Sequence, residues 1–456
     1  MGNVSNRLAQ WAKWGRSWEE LEDGRGTIGG VRQTDKDGIR LFIPCDSIVG
    51  SAIDPMGTGA EVADWLYGIS DSGKHIALRN CIAVSILSDS QELSASTMLS
   101  GNEAFDISAS IRKVSFGLQH LEDWAILKTD NGDNVFQTFL KDHSSSGCIE
   151  QTWYTDDRLK IIVRAGMNLK CNLPASVNLE QCCRLDIEFV SPESYEDADD
   201  VAFSILLLVS FCAGWYASLD SMTVTNCDGV TYEVTEALGR KNYDWRKPQS
   251  SPIPYDVFAD RSQQLIDKWL HCEGDLKIAI HEYVPIALLR RQSYLDFEYI
   301  AASQIIETLG RAVDEKNSTA SSEHNEMMAR LKAAAENIEN EELKEWVFGQ
   351  IAEKKRPTLR QSLMGLYDFV GAYSKEVFSN KKKFADLQCK RRNPFMHRRA
   401  EVEKYSDDYL FFHTKGLFML SEAAIMRLLG FTQEEVNELL AKSHSRYLKS
   451  KLQNKS

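Results

Sequence analysis

No cysteine of this chain stands in a C-x-x-C pair. The ten cysteines lie scattered between Cys45 and Cys389, which argues against a dithiol redox motif or a zinc ribbon and fits reduced thiols in a cytosolic protein. Proline is scarce, 10 in 456 residues, so proline-rich extended architecture is excluded. The opening MGNVSNRLAQWAKWG lacks the apolar stretch of a secretory signal. Positive charge is in deficit: 53 Lys+Arg face 66 Asp+Glu, a net charge of −13. The deficit is local, with 22 basic against 36 acidic residues in positions 1–250 and 31 against 30 in 251–456. A polyanion is therefore repelled by the first half and can approach the second only through local patches. Long uncharged runs number one, VAFSILLLVSFCAGWYASL at 201–219. Acidic flanks, the absence of nearby Lys or Arg, and interior Ser, Cys and Gly predict a buried core helix here, against the alternative of a membrane span in a receptor.

What is present changes character along the chain. Short runs of β type occupy 39–44, 75–87, 112–119, 134–140, 148–154, 158–167 and 183–190, and their spacing predicts an antiparallel sandwich or barrel. A long helix near 194–215 follows, then a hairpin in SMTVTNCDGVTYEV, whose Asp228-Gly229 suits a type I′ turn. Past the three prolines of GRKNYDWRKPQSSPIPYD, nearly every segment repeats apolar residues at three- and four-residue spacing. The expected fold is α+β and multidomain: a β-rich domain at 1–245, a linker at 246–257 and an all-α bundle at 258–456.

Two motifs mislead. Gly24-Arg25-Gly26-Thr27-Ile28-Gly29 fits G-x-G-x-x-G, but SWEELED before it is no strand and β pattern follows, so the strand–turn–helix that cradles a pyrophosphate is missing. Neither Cys182-Cys183 nor His271-Cys272 comes with the spaced partners of a metal site, so neither metal nor cofactor is expected.

The acidic chain nonetheless gathers four arginines and a lysine around one histidine in CKRRNPFMHRRA, 389–400. Read locally, Asn393 is a natural N-cap and Pro394 the first residue of a helix. That places Arg392 and His397 at the two positions whose side chains meet across a helix start. Free N–H groups and the positive dipole end would then favour an anion such as phosphate, and the same field would hold the His397 pKa low, leaving the neutral imidazole that a general base requires. The bland alternative is a solvated helix start.

Arg392-Asn393-Pro394-Phe395-Met396-His397 resembles the R-x-x-x-x-H motif of HEPN ribonucleases, including the polar residue after the arginine, and lies late in a helical domain as that motif does. The helix carrying QIIETLGR, centred on Glu307, is similar to a glutamate-bearing helix of ApeA-type anti-phage proteins, and the β-rich-then-helical layout resembles that family along most of the chain. The resemblance implies an all-α HEPN domain that cleaves RNA without metal, with Arg392, Asn393 and His397 in the catalytic set and Glu307 orienting Arg392 or His397. It implies a homodimer that joins two motifs, a phage-derived trigger acting through the first domain, and tRNA among the candidate substrates.

Lys390, Arg391, Arg398 and Arg399 flank the motif and Lys381, Lys382 and Lys383 precede it, a patch suited to tracking RNA phosphates. The alternative is a catalytically silent HEPN scaffold that binds RNA or a protein.

Overall fold

The computed structural model describes residues 10–34, 38–44, 61–86, 90–106, 110–128, 132, 148–172, 176–236, 251–288, 294–317, 322–338, 340–354, 358–396 and 407–443. The chain divides into two compact units, Met1–Val209 with Ala217–Lys247 and Ala259–Ile266, and Ser210–Tyr216 with Pro248–Phe258 and Asp267–Ser456.

The first unit is built on strands β1 (Gln10–Gly15), β2 (Thr27–Thr34), β3 (Gly38–Pro44), β4 (Glu61–Ser70), β5 (His75–Ile86), β6 (Ser90–Ala95), β7 (Thr97–Gly101), β8 (Ile111–Leu118), β9 (Ile149–Thr155), β10 (Leu159–Asn172), β11 (Ser176–Glu193), β12 (Leu219–Asn226) and β13 (Thr231–Glu236). They form one sheet in the order β4-β1-β2-β3-β6-β5-β7-β13-β12-β8-β11-β10-β9. Because β4 also pairs with β5, the first six strands of that order close into an antiparallel barrel. Alternation explains the closure: Ala12, Trp14, Val31, Leu41, Ile43, Leu66, Leu78 and Leu93 point inward and fill the interior, while Trp11 and Ile28 point out. Trp14 is fully buried and its indole donates to the Gly29 carbonyl at 3.1 Å. Gly68 makes room for that ring, since a Cβ there would stand 2.8 Å from it.

The expected runs at 39–44, 75–87, 112–119, 148–154, 158–167 and 183–190 fall on β3, β5, β8, β9, β10 and β11. The run at 134–140 lies outside the described residues. The hairpin joins β12 to β13, but not through a type I′ turn. Gly229 has φ +84° while Asp228 is not among the positive-φ residues, and the Gly229 N–H donates to the Asn226 carbonyl at 3.1 Å. This is a turn over Cys227-Asp228 followed by a left-handed glycine, a bulged loop that needs only one residue of positive φ.

Short helices α1 (Trp18–Glu22) and α2 (Leu121–Trp124) decorate the sheet, and the glycine-rich stretch runs helix–turn–strand from α1 into β2. The apolar segment forms α3 (Tyr195–Ala213), with Ile205, Leu207, Phe211 and Cys212 buried. Among the described residues, no helix is long and apolar enough to cross a membrane.

At the start of α3, Arg79 meets Glu196 at 3.4 Å and Asp199 at 3.8 Å. Strand register places Arg79 in one cross-strand row with Trp65, Thr97 and Glu236. Burial pushes Asp199 up to about 6, against the opposing pull of Arg79. Burial together with Asp199 pushes Glu236 up to about 7.

The second unit is helical: α4 (Tyr255–Ala259), with α5 (Ser262–Leu270) bridging from the first unit, then α6 (Gly274–Tyr283), a π turn at Val284–Leu288, α7 (Leu295–Asn317), α8 (Ser322–Glu336), α9 (Glu341–Lys354), α10 (Leu359–Val370), α11 (Ala372–Val377), α12 (Lys381–Met396), α13 (Asp407–Leu428) and α14 (Gln433–Ser443). Helix α7 is central, burying Tyr299, Ala302, Ile305, Ile306, Leu309 and Val313. Helix α10 starts on a capping box between Thr358 and Gln361, and its Ser362 donates to Asp314 of α7 at 2.7 Å.

Candidate functional site

The basic stretch belongs to α12, and α12 begins at Lys381, thirteen residues before Pro394, the expected first residue of the helix. Its cap is Asn380, whose Oδ1 accepts from the Lys383 N–H at 2.9 Å while its carbonyl accepts from the Phe384 N–H at 2.8 Å. Buried Phe384, Ala385 and Gln388 at helical spacing then carry the helix inward. The apolar stripe prevails, and the helix continues through Pro394 to Met396.

This corrects the local reading of the motif. Asn393 is not an N-cap, and Arg392 does not stand before a helix. The helix runs toward Met396 in its carbonyl direction, so the motif does not stand at a helix amino end. The argument that a helix N-terminus holds the His397 pKa low, and that staple positions join it to Arg392, falls with the orientation. His397, Arg398 and Arg399 lie outside the described residues.

The opposite end of α12 is the electrostatically unusual one. Lys381, Lys382 and Lys383 fill the first turn, where the dipole disfavours cations. Lys381 is paired with Asp368, whereas Lys382 and Lys383 are exposed. Arg360, which donates to Asp386 at 2.6 Å, holds that carboxyl below its ordinary range, with Lys390 and Lys382 adding to the effect. The triple lysine and Arg392 are about 15 Å apart along the helix.

What fixes α12 is a buried polar network that the sequence did not announce. Ser303 gives its proton to the Tyr299 carbonyl at 2.8 Å, so its oxygen must accept from Gln388 Nε2, which lies at 2.7 Å. That orients Gln388 Oε1 toward the Tyr299 hydroxyl at 3.3 Å and His413 Nε2 at 3.1 Å. An amide oxygen only accepts, so His413 carries its proton on Nε2. Three helices, α7, α12 and α13, are thus locked one turn before Arg392. A glutamine in an apolar stripe and a histidine inside the apolar α13 were the available signals.

Helix directions follow from paired residues. Lys381 pairs with Asp368 and Asp386 with Arg360, so α12 runs opposite to α10. Gly310 and Asp314 of α7 meet Ser362 and Gly365 of α10 in ascending order, so those two run in the same sense. Beyond Gln388, then, α12 heads for the amino end of α7. Glu307 lies the other way. It is half-buried and paired with Arg311 at 3.6 Å, and Arg311 also grips Asp275 through two contacts of 3.1 Å. The structure places Glu307 in an ion-pair cluster of α6 and α7.

Among the described residues, one group could hold a metal: His120, Glu122 and Asp123 of the first unit, with ligand atoms within 4.8 Å of one another. His120 Nδ1 and Asp123 Oδ2 already face each other at 3.3 Å.

Comparison with known proteins places both halves. The family model described as ApeA N-terminal domain 1 matches residues 28–269, more than half of the chain, and that described as Apea-like HEPN matches residues 300–435. No match was found among curated proteins or solved structures. A β-rich barrel and sheet followed by a helical bundle, each matched by its own model over the corresponding residues, establish that the chain belongs to the ApeA family.

Proposed function

We propose that this protein is a metal-independent endoribonuclease acting in abortive infection. The two family matches support an HEPN-type function in defence against phage. The observation that carries the finer reading is the R-x-x-x-x-H sequence Arg392–His397 inside the HEPN match, beginning on a helix that a buried glutamine holds in place. In this reading His397 removes the proton of a ribose 2′-OH, and that oxygen attacks the adjacent phosphorus. The bond to the 5′ oxygen breaks, leaving a 2′,3′-cyclic phosphate and a 5′-OH. Arg392 meets the developing charge on the phosphoryl oxygens, and Asn393 shares the site. One copy of the motif offers one histidine, so a dimer with two copies in one cleft supplies the general acid as well. Lys381–Lys383 and Lys390 guide the RNA backbone, with tRNA as one substrate to test, and the N-terminal domain receives the phage-derived trigger.

The test is purified full-length protein added to RNA in excess EDTA, with Arg392→Ala and His397→Ala as controls. Cleavage that persists with EDTA, stops in both variants and stops when the target ribose is replaced by 2′-deoxyribose is the expected result. Binding without cleavage would leave a silent scaffold.

A further inference from the structure

The first unit holds a cluster of acid that the nuclease reading does not use. Where α3 begins, Glu196 and Asp199 share Arg79, at 3.4 and 3.8 Å, and the cross-strand row Trp65, Arg79, Thr97, Glu236 brings Glu236 to the same face. Three carboxylates thus meet one guanidinium. Among the described residues no hydrogen bond or ion pair reaches the Glu236 carboxylate, and Asp199 has only its long contact with Arg79. A separate observation points to the same place. Tyr195, the first residue of α3, is fully buried, and among the described residues its hydroxyl has no hydrogen-bond partner. A buried hydroxyl left unpaired is costly and marks a place that a further molecule fills. The Tyr195 ring packs edge-on against Trp65 and Phe105 at 6.0 and 5.9 Å, and the Arg79 guanidinium lies 5.5 Å from its centre. Burial raises the phenol pKa, and after burial the groups acting on it are Asp199, Glu236, Arg79 and Glu196, in that order. Glu196, Asp199 and Glu236 are each only part-buried, so the cluster opens to solvent.

We infer that Glu236, Asp199 and the Tyr195 hydroxyl form a binding site for a primary ammonium group, the chemistry shared by free alkylamines and polyamines and by a lysine side chain. The three N–H donors of an ammonium match three acceptors, and its charge supplies the second cation that the cluster lacks. An anion is excluded by the same balance of three carboxylates against Arg79. The surroundings act in the same direction, since positions 1–250 carry 36 acidic against 22 basic residues and draw cations toward them. All of these residues belong to the first unit, so the site stands independently of the nuclease reading.

The experiment is calorimetric titration of the full-length protein with n-butylammonium, with spermidine and with a capped peptide that carries one lysine. Tetramethylammonium, a cation without N–H donors, is the control and should bind at least about tenfold more weakly than butylammonium. Glu236→Gln and Tyr195→Phe should each weaken butylammonium by about tenfold, with melting temperatures showing that both variants fold. Glu233→Gln removes an exposed charge from the opposite face of β13 and should leave binding unchanged. Tightest binding of spermidine supports the site and assigns it to free amines, whereas tightest binding of the peptide supports it and assigns it to a protein side chain. Absence of binding by all three probes overturns the inference. So does binding that both variants leave unchanged, or that tetramethylammonium reproduces in full, which would leave the cluster to ordered water.

Discussion

Gln388 Nε2 donates to Ser303 Oγ at 2.7 Å with both residues buried, and through that bond α12 is tied to α7. Gln388→Ala would remove the donor to Ser303 Oγ and the acceptor of the Tyr299 hydroxyl and the His413 ring N–H. A loss of about 3 kcal/mol in urea unfolding is expected, with RNA cleavage falling as α12 loosens. An unchanged unfolding midpoint would show that the network carries no weight.

Glu236 gives the first unit a pH dependence. Its folded pKa, about 7, lies above the ordinary 4.5, so the folded state holds a proton that the unfolded state has released. Stability from this group therefore declines as pH rises between those values and levels off above them, and Asp199 acts alike between 3.8 and about 6. Glu236→Gln should flatten that slope and raise the melting temperature at pH 8 by about 2–4 °C. A lower melting temperature at pH 8 would mean that the carboxylate is stabilised by its surroundings.

Glu307→Gln separates an ion-pair role from a catalytic one. The Arg311 cluster is part-exposed, so a cost under about 1 kcal/mol is expected, with kcat within about twofold of wild type. A hundredfold loss of kcat in a folded variant would return Glu307 to the active site.

Gly68→Ala would push a methyl group into the Trp14 ring and should destabilise the barrel by about 2 kcal/mol, visible in the Trp fluorescence transition. Gly73→Ala, where nothing lies within 4 Å but φ is +79°, should cost about 1 kcal/mol through backbone strain alone. The reverse ranking would refute the packing argument.

The sequence disclosed those elements whose apolar pattern is strong. The helical half and strands such as β10 and β11 read directly from periodicity. Strands β1, β2, β4, β6 and β7 did not: β2 carries Gly29-Gly30, β6 is SQELSA, and a closed barrel needs many such weak strands whose stability lies in long-range pairing. At the site, the Asn-Pro pair gave a strong local signal for a helix start, yet the stripe Phe384–Gln388 outweighed it. The Gln388 network was not legible because its partners Ser303, Tyr299 and His413 lie 85, 89 and 25 residues from Gln388 in sequence.

Strand β5 is hydrogen-bonded along one edge to β4, and along the other first to β7 through His75–Arg79 and then to β6 through Ile82–Ile86. The barrel and the open sheet are thus spliced on a single strand, so loss of β5 breaks hydrogen bonds in both. Amide protons on both sides of that splice are then expected to exchange with solvent in one cooperative opening, so that a strain applied at the barrel is felt at β9 as loss of the whole sheet rather than as local fraying.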